Sequence, residues 1–193
     1  MTPLPFVWPH ALLFWSVDIW AFIPEFKIVR KARKTSDAQD EKSKQVILVG
    51  NALGFLGAIV MAFIPALQIV RYRLASFYLG IGLLFLGSLL RRHCWRMLGS
   101  SFTGNVEARA GQTVVTRGAY AILRHPSYTA ALLLNMGIGI AFGSWYSAAL
   151  LAVVSLVVYS YRIQVEERAL LVAIGEPYAQ FMRTRKRIIP FVY

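Results

Sequence analysis

The residues with types and spacing suited to chemistry fall in two clusters in the C-terminal half of the chain. The first closes a polar and aromatic stretch, Gln112 to Tyr128, and contains Tyr120, His125 and Tyr128. Arg124, His125 and Pro126 stand at its end, directly before an uncharged run from Ser127 to Tyr161. Proline is favoured in the first turn of a helix, where its missing N–H is no loss. The tripeptide therefore predicts the mouth of a helix entering a membrane. Such a mouth gathers unpaired backbone N–H groups and the positive end of the helix dipole, so it suits an anionic ligand group. The plainer alternative is a helix start at the interface with no ligand at all. The second cluster is Arg162, Glu166 and Glu167. Arg162, Glu166 and Leu170 share one helical face by their four-residue spacing. Their simplest reading is an exposed salt bridge worth about 0.3–0.5 kcal/mol. The other is a cation and a carboxylate folded against the first cluster by the apolar hairpin between them.

Other chemistries have no residues to carry them. There is no HExxH, no paired-cysteine motif, no phosphate-binding glycine loop and no nucleophile elbow. His10, His93 and His125 lie on separate segments without metal-ligand spacing, so no metal site is expected. His93 reads as an interface histidine. The single cysteine, Cys94, excludes an internal disulfide framework and reads as a packing residue near a helix end.

The elements that position these clusters follow from composition. The chain has 193 residues, of which 57% are hydrophobic and 16% charged, and its mean hydropathy is positive. A soluble domain of this length would need far more polar surface. The expected fold class is all-α: a polytopic integral membrane protein of about five transmembrane helices with a C-terminal helical hairpin. A net charge of +12 would point to nucleic acid in a soluble protein. In a membrane protein it reflects Lys and Arg enrichment in cytoplasmic loops, and no nucleic-acid partner is expected.

The first apolar segment runs from Leu4 to Phe26 and carries Asp18, which must face protein or water at that depth. Met1 to Pro5 lacks a basic region and no small-residue cleavage site follows, so no cleavable signal is expected. A basic loop follows, then Val46 to Leu67, whose Gly50, Gly54, Gly57 and Ala58 allow close helix contact, within one chain or between chains. The third span starts at Ser76 and continues toward Leu98, with Arg91, Arg92 and His93 expected at the surface. Thr113 to Thr116 has a strand-like texture. Tyr128–Phe142 and Trp145–Tyr161 form two more spans joined by Gly143-Ser144, the first of them short for a bilayer. Lys and Arg number seven in the first loop, two in the second, six in the third, none in the fourth and six from Arg162 onward. That alternation puts the N-terminus outside and both clusters in the cytosol. Beyond Tyr161 the last helix should project from the membrane to a C-cap at Gly175. Pro177 then opens a short helix whose Arg183, Arg185, Lys186 and Arg187 suit an anionic leaflet.

In these same residues the chain resembles a known family. Val115-Thr116-Arg117-Gly118-Ala119-Tyr120, Arg124-His125-Pro126-Ser127-Tyr128, Arg162 with Glu166-Glu167 and Leu170, and Gly175-Glu176-Pro177-Tyr178 are similar, in order and spacing, to motifs of the isoprenylcysteine carboxyl methyltransferases. The likeness covers roughly residues 105–190. It implies a small prokaryotic member with five spans, using S-adenosylmethionine in a cytosolic pocket and releasing S-adenosylhomocysteine. By position, cofactor contacts fall on Gln112, Thr113, Val114, Val115, Tyr120, His125, Pro126, Ser127, Tyr128 and Glu166. Arg162 matches the arginine associated with substrate and catalysis. The resemblance also divides the chain, with residues 1–98 holding three helices and the basic loop 27–45, and 99–193 forming a methyltransferase-like catalytic region. The implied acceptor is the carboxylate of a prenylated cysteine or similar lipophilic molecule, entering sideways from the lipid. Ala130 departs from the glycine that many members carry, and Gln164 and Val165 replace acidic residues of the animal enzymes. Phospholipid amine N-methyltransferases and NADPH-dependent sterol or steroid reductases share related C-terminal motifs, and a non-enzymatic scaffold or transporter is the remaining alternative. Arg162 argues against an amine acceptor, because it repels a cation. Oligomeric state stays open.

Overall fold

The computed structural model of the chain describes residues 1–32, 42–99 and 113–189, with side chains of the first segment described as far as Ile23. Gln112 lies outside the described residues. The described chain folds as helices α1 (His10–Ala32), α2 (Ser43–Phe63), α3 (Arg73–Leu98), α4 (Pro126–Ala141), α5 (Trp145–Ile174) and α6 (Glu176–Thr184). Among the described residues, β pairing is limited to one isolated parallel bridge, Leu123 to Lys186. The strand-like texture of Thr113–Thr116 therefore comes to nothing, since that stretch meets no partner strand and runs as irregular chain.

Helix is the expected answer for apolar segments in lipid, where every backbone N–H and C=O must be satisfied within the segment. Three helices, α2, α3 and α5, are long and apolar enough to cross a membrane; the apolar part of α1, His10–Ile23, is shorter. At 1.5 Å per residue, the 30 residues of α5 reach about 45 Å. That exceeds the roughly 30 Å hydrocarbon core, so α5 projects into water. The 16 residues of α4 reach only about 24 Å. The pairing of a short helix with a long one places the α4 mouth beside the projecting part of α5. Their hairpin is tight: Gly143 takes φ 73, and Ser144 Oγ accepts from the Ser147 N–H at 3.2 Å.

Two seams of small residues hold the helices together. On α3, a Cβ added to Gly80 would stand 2.5 Å from the Ala141 backbone nitrogen and 2.6 Å from the Gly137 carbonyl oxygen. On α2, the same atom at Gly50, Gly54 or Gly57 would press on Val158, Val154 or Leu150 of α5, at 2.5, 3.1 and 2.9 Å. The glycine run of α2 is thus an intrachain packing face, run antiparallel to α5 and closed at its far end by Ser147 Oγ donating to the Ala58 carbonyl at 2.8 Å. Phe14, Phe77 and Phe142 fill the core at that end. α1 is held to α3 by Arg92, whose guanidinium lies 4.6 Å from the Trp20 ring centroid and donates to the Trp20 carbonyl at 2.7 Å. Asp18 Oδ1 is buried with no hydrogen-bond partner among the described residues, and nothing in the structure explains it.

Two helix boundaries and the placement of one arginine differ from the expectation. Leu4–Phe6 forms a separate 3-10 turn and the first helix starts at His10. The second helix stops at Phe63, because Pro65 removes a backbone donor and opens the 3-10 turn Pro65–Leu67. Arg91 does not emerge at the surface. It falls in phase with Phe77, Gly80, Ile81, Leu84, Gly87 and Ser88 on the buried stripe of α3; Arg92 is half-buried against Trp20, and His93 is exposed.

Candidate active site

The α4 mouth forms at the expected tripeptide, with His125 at the capping position and Pro126 opening the helix. It is covered by the chain's own C-terminal segment. The Arg124 N–H donates to the Lys186 carbonyl at 2.8 Å, and the His125 N–H to the Arg187 carbonyl at 3.0 Å. Thr129 Oγ1 donates to the Ile188 carbonyl at 2.6 Å. Two backbone donors of the predicted mouth are therefore taken by backbone carbonyls.

Glu167 anchors this clamp. Its carboxylate is buried and meets Arg124 Nη1 at 3.3 Å, Arg187 Nη2 at 2.8 Å and His125 Nε2 at 3.2 Å. A carboxylate only accepts, so His125 Nε2 carries the proton in that contact. Arg187 thus turns inward, in place of the expected role on an anionic leaflet. Tyr178 and Phe181 are likewise buried against protein. Burial, with the Glu166 and Glu167 carboxylates close by, raises the Tyr178 phenol far above its ordinary range.

Glu166, one residue earlier, has a different environment. Its side chain stays 33% exposed. Tyr128 Oη donates to its Oε2 at 2.9 Å, and His125 Nδ1 lies 3.9 Å from the same oxygen. Tyr128 is itself stacked on Tyr159 of α5, with centroids 5.2 Å apart and planes inclined by 27°. Asn51 on α2 holds the Tyr159 hydroxyl at 3.3 Å. Asn135 on α4 reaches Asn51 at 3.4 Å and Ser155 at 2.7 Å. Glu166 is therefore an oriented, partly exposed carboxylate at the end of a polar chain rising from the apolar layer.

Arg162 stands one turn before Glu166 and is buried, 5% exposed. An exposed salt bridge is excluded by that burial. Its Nη1 donates to Ser43 Oγ, the first residue of α2, at 2.6 Å. Arg91 is the second buried guanidinium: Nη1 donates to the Ser127 carbonyl at 2.9 Å and also contacts Ser127 Oγ. Tyr120 is buried beside Cys94, within electrostatic reach of Glu166 and Arg91. Burial raises its phenol far above the ordinary range. The fold thus gathers Tyr120, His125, Pro126, Ser127, Tyr128, Arg162 and Glu166 at one end of the bundle. Thr113, Val114 and Val115 run as irregular chain leading to that end. Ala130 is fully buried, and Gly87 of α3 clears space beside it: a Cβ there would meet the Ala130 carbonyl oxygen at 2.9 Å.

A cation, an oriented carboxylate and aromatic walls suit a ligand bearing both charges. S-adenosylmethionine, with an ammonium, ribose hydroxyls and a flat base, matches this donor set: Glu166 accepts, and the tyrosines offer apolar faces.

Comparison with known proteins finds methyltransferases among those similar to the chain. The model of the isoprenylcysteine carboxyl methyltransferase family matches residues 80–172. The protein-S-isoprenylcysteine O-methyltransferase B of Arabidopsis thaliana is 31% identical over 144 residues, 74% of this chain and 71% of the plant protein. The Schizosaccharomyces pombe protein-S-isoprenylcysteine O-methyltransferase is 32% identical over 114 residues, 58% of this chain and 48% of its own length. Among solved structures, the eukaryotic intramembrane Ras methyltransferase, an isoprenylcysteine carboxyl methyltransferase, superposes with a TM-score of 0.60 at 26% identity, covering 79% of this chain and 53% of that one.

Proposed function

Since the chain belongs to the isoprenylcysteine carboxyl methyltransferase family, we propose that it methylates the carboxylate of a prenylated cysteine or similar lipophilic acceptor. The methyl donor is S-adenosylmethionine, which when bound supplies a methyl already activated on a sulfonium. The observation that carries this reading is the pairing on α5 of a buried cation, Arg162, with an oriented, accessible carboxylate, Glu166, one turn apart.

The division of labour follows from charge. Glu166, aimed by Tyr128, accepts from the cofactor's ammonium or ribose hydroxyls. Tyr120 and Tyr128 would flank the bound cofactor, and backbone groups of Thr113–Val115 would read its adenine. Arg162 receives the acceptor. A carboxylate is ionised at pH 7, so no strong general base is needed. The planar guanidinium holds one carboxylate oxygen and leaves the other free to attack. Rate then comes from alignment and from exclusion of water around the attacking oxygen. An amine acceptor fits poorly, because Arg162 repels a cation. The lipid tail enters between apolar helices from the bilayer. The lysine and arginine distribution supports a five-span topology with the N-terminus outside and the site in the cytosol.

The test is transfer of labelled methyl from S-adenosylmethionine to a farnesylcysteine by the purified protein, read as base-labile ester. Formation of the ester is the expected result. Transfer to a phospholipid amine but not to farnesylcysteine overturns the acceptor assignment.

A further inference from the structure

We propose that Ser43, on α2, is a positioning residue for methyl transfer, holding the Arg162 guanidinium at the angle that meets the acceptor carboxylate. The inference rests on the assignment of Arg162 to the acceptor, and adds to it a residue outside the segment that the family model matches, 80–172. Ser43 is fully buried, and its Oγ accepts from Arg162 Nη1 at 2.6 Å across 119 residues of chain. Arg162 is nearly as buried. A charged side chain with this length and freedom needs a fixed partner to hold one geometry, and ordering it costs rotamer entropy.

Two features make Ser43 suited to that task. Its hydroxyl is neutral, so it directs the guanidinium without cancelling the charge that an acceptor carboxylate must meet. A carboxylate in its place would hold the fork as firmly and compete with the acceptor. Its position is also rigid. Gly50, Gly54 and Gly57 press α2 onto Val158, Val154 and Leu150 of α5, and Asn51 bonds Tyr159 one turn before Arg162. Register between the two helices is thus set at several points, and Ser43 arrives opposite Arg162 as a consequence. The seam that packs the bundle also aims the arginine.

The experiment compares full-length wild type, Ser43→Ala and Ser43→Thr in lipid nanodiscs, with N-acetyl-S-farnesylcysteine and its amide as probes. Hydrogen bonds to charged groups are worth enough for about a 10- to 100-fold effect. Ser43→Ala should lower kcat by at least about 10-fold. Its S-adenosylmethionine affinity should stay within about twofold, and Ser43→Thr should recover most of the turnover because it keeps the hydroxyl. In an Arg162→Lys background Ser43→Ala should add little further loss, since the two act as a unit. Wild-type turnover in Ser43→Ala, an additive loss in the double variant, or a parallel fall in cofactor affinity overturns the proposal. If Ser43→Ala does not fold, Ser43→Cys takes its place, and a weak acceptor there must give intermediate turnover; wild-type turnover again refutes. A wild-type protein that neither methylates the acid nor binds it better than the amide refutes the assignment of function itself. Normal methylation without any Ser43 effect refutes only this inference.

Discussion

The two sides of the projecting end of α5 are closed in opposite ways. On the α4 side the closure is ionic: Glu167 holds Arg124, His125 and Arg187, and the segment Lys186–Ile188 is hydrogen-bonded along the mouth. On the α2 side the closure is mainly steric, made by glycines against valines and a leucine along the seam, with polar contacts at Ser43, Asn51 and Ser147. The difference explains why adjacent carboxylates have separate fates. Glu167 is consumed by structure, whereas Glu166, on the edge between the two closures, keeps one oriented and accessible carboxylate. Sequence adjacency says little here. Successive helix positions point about 100° apart, so Glu166 and Glu167 answer to different neighbours.

The largest effect should come from breaking the ionic side. Glu167→Ala leaves His125 and two partly buried guanidinium groups without their shared, buried carboxylate, and removing one partner of a buried charge cluster costs up to about 3–5 kcal/mol. Thermal unfolding in detergent should show that loss; a stability within about 0.5 kcal/mol of wild type would show that the clamp is incidental. Next comes the steric side's arginine. Arg162→Lys should lower methyl transfer by about 100-fold even at saturating acceptor, because lysine cannot present a planar fork. Near-native turnover there would return Arg162 to a packing role. Glu166→Gln should weaken cofactor binding by about 10-fold or more, through loss of a charge-assisted acceptor. Tyr128→Phe should be the mildest, lowering cofactor affinity about fivefold, since it removes one hydrogen bond that orients Glu166 and keeps the Tyr159 stack. An effect larger than that of Glu166→Gln would mean that the Tyr128 hydroxyl itself, and not only the ring, touches the ligand.

The helices and the α4 mouth were legible in the sequence because they rest on local signals: apolar run length, Pro126 at a first turn, Gly143 and Gly175 at ends. The glycine face of α2 was legible as a packing surface, although not which helix it meets. Arg91 could have been placed correctly, because its helical phase matches Ser88 and Gly87, and charge alone argued for the surface. Glu167 could not. Its partners lie 20 residues away at Arg187 and 42 at His125, and only the docking of the C-terminal segment brings them together. The Ser43 contact spans 119 residues and has no local signature. Gln112 falls outside the described residues.

In the proposed division of roles, Glu166 serves the cofactor and Arg162 the acceptor, from one helix face. Calorimetric titration of S-adenosylmethionine into Glu166→Gln and Arg162→Lys, side by side with wild type, addresses it most directly. Affinity should fall at least about 10-fold in Glu166→Gln and stay within about twofold of wild type in Arg162→Lys, where no cofactor contact is removed. Unchanged affinity in Glu166→Gln, or an equal loss in both variants, would contradict it.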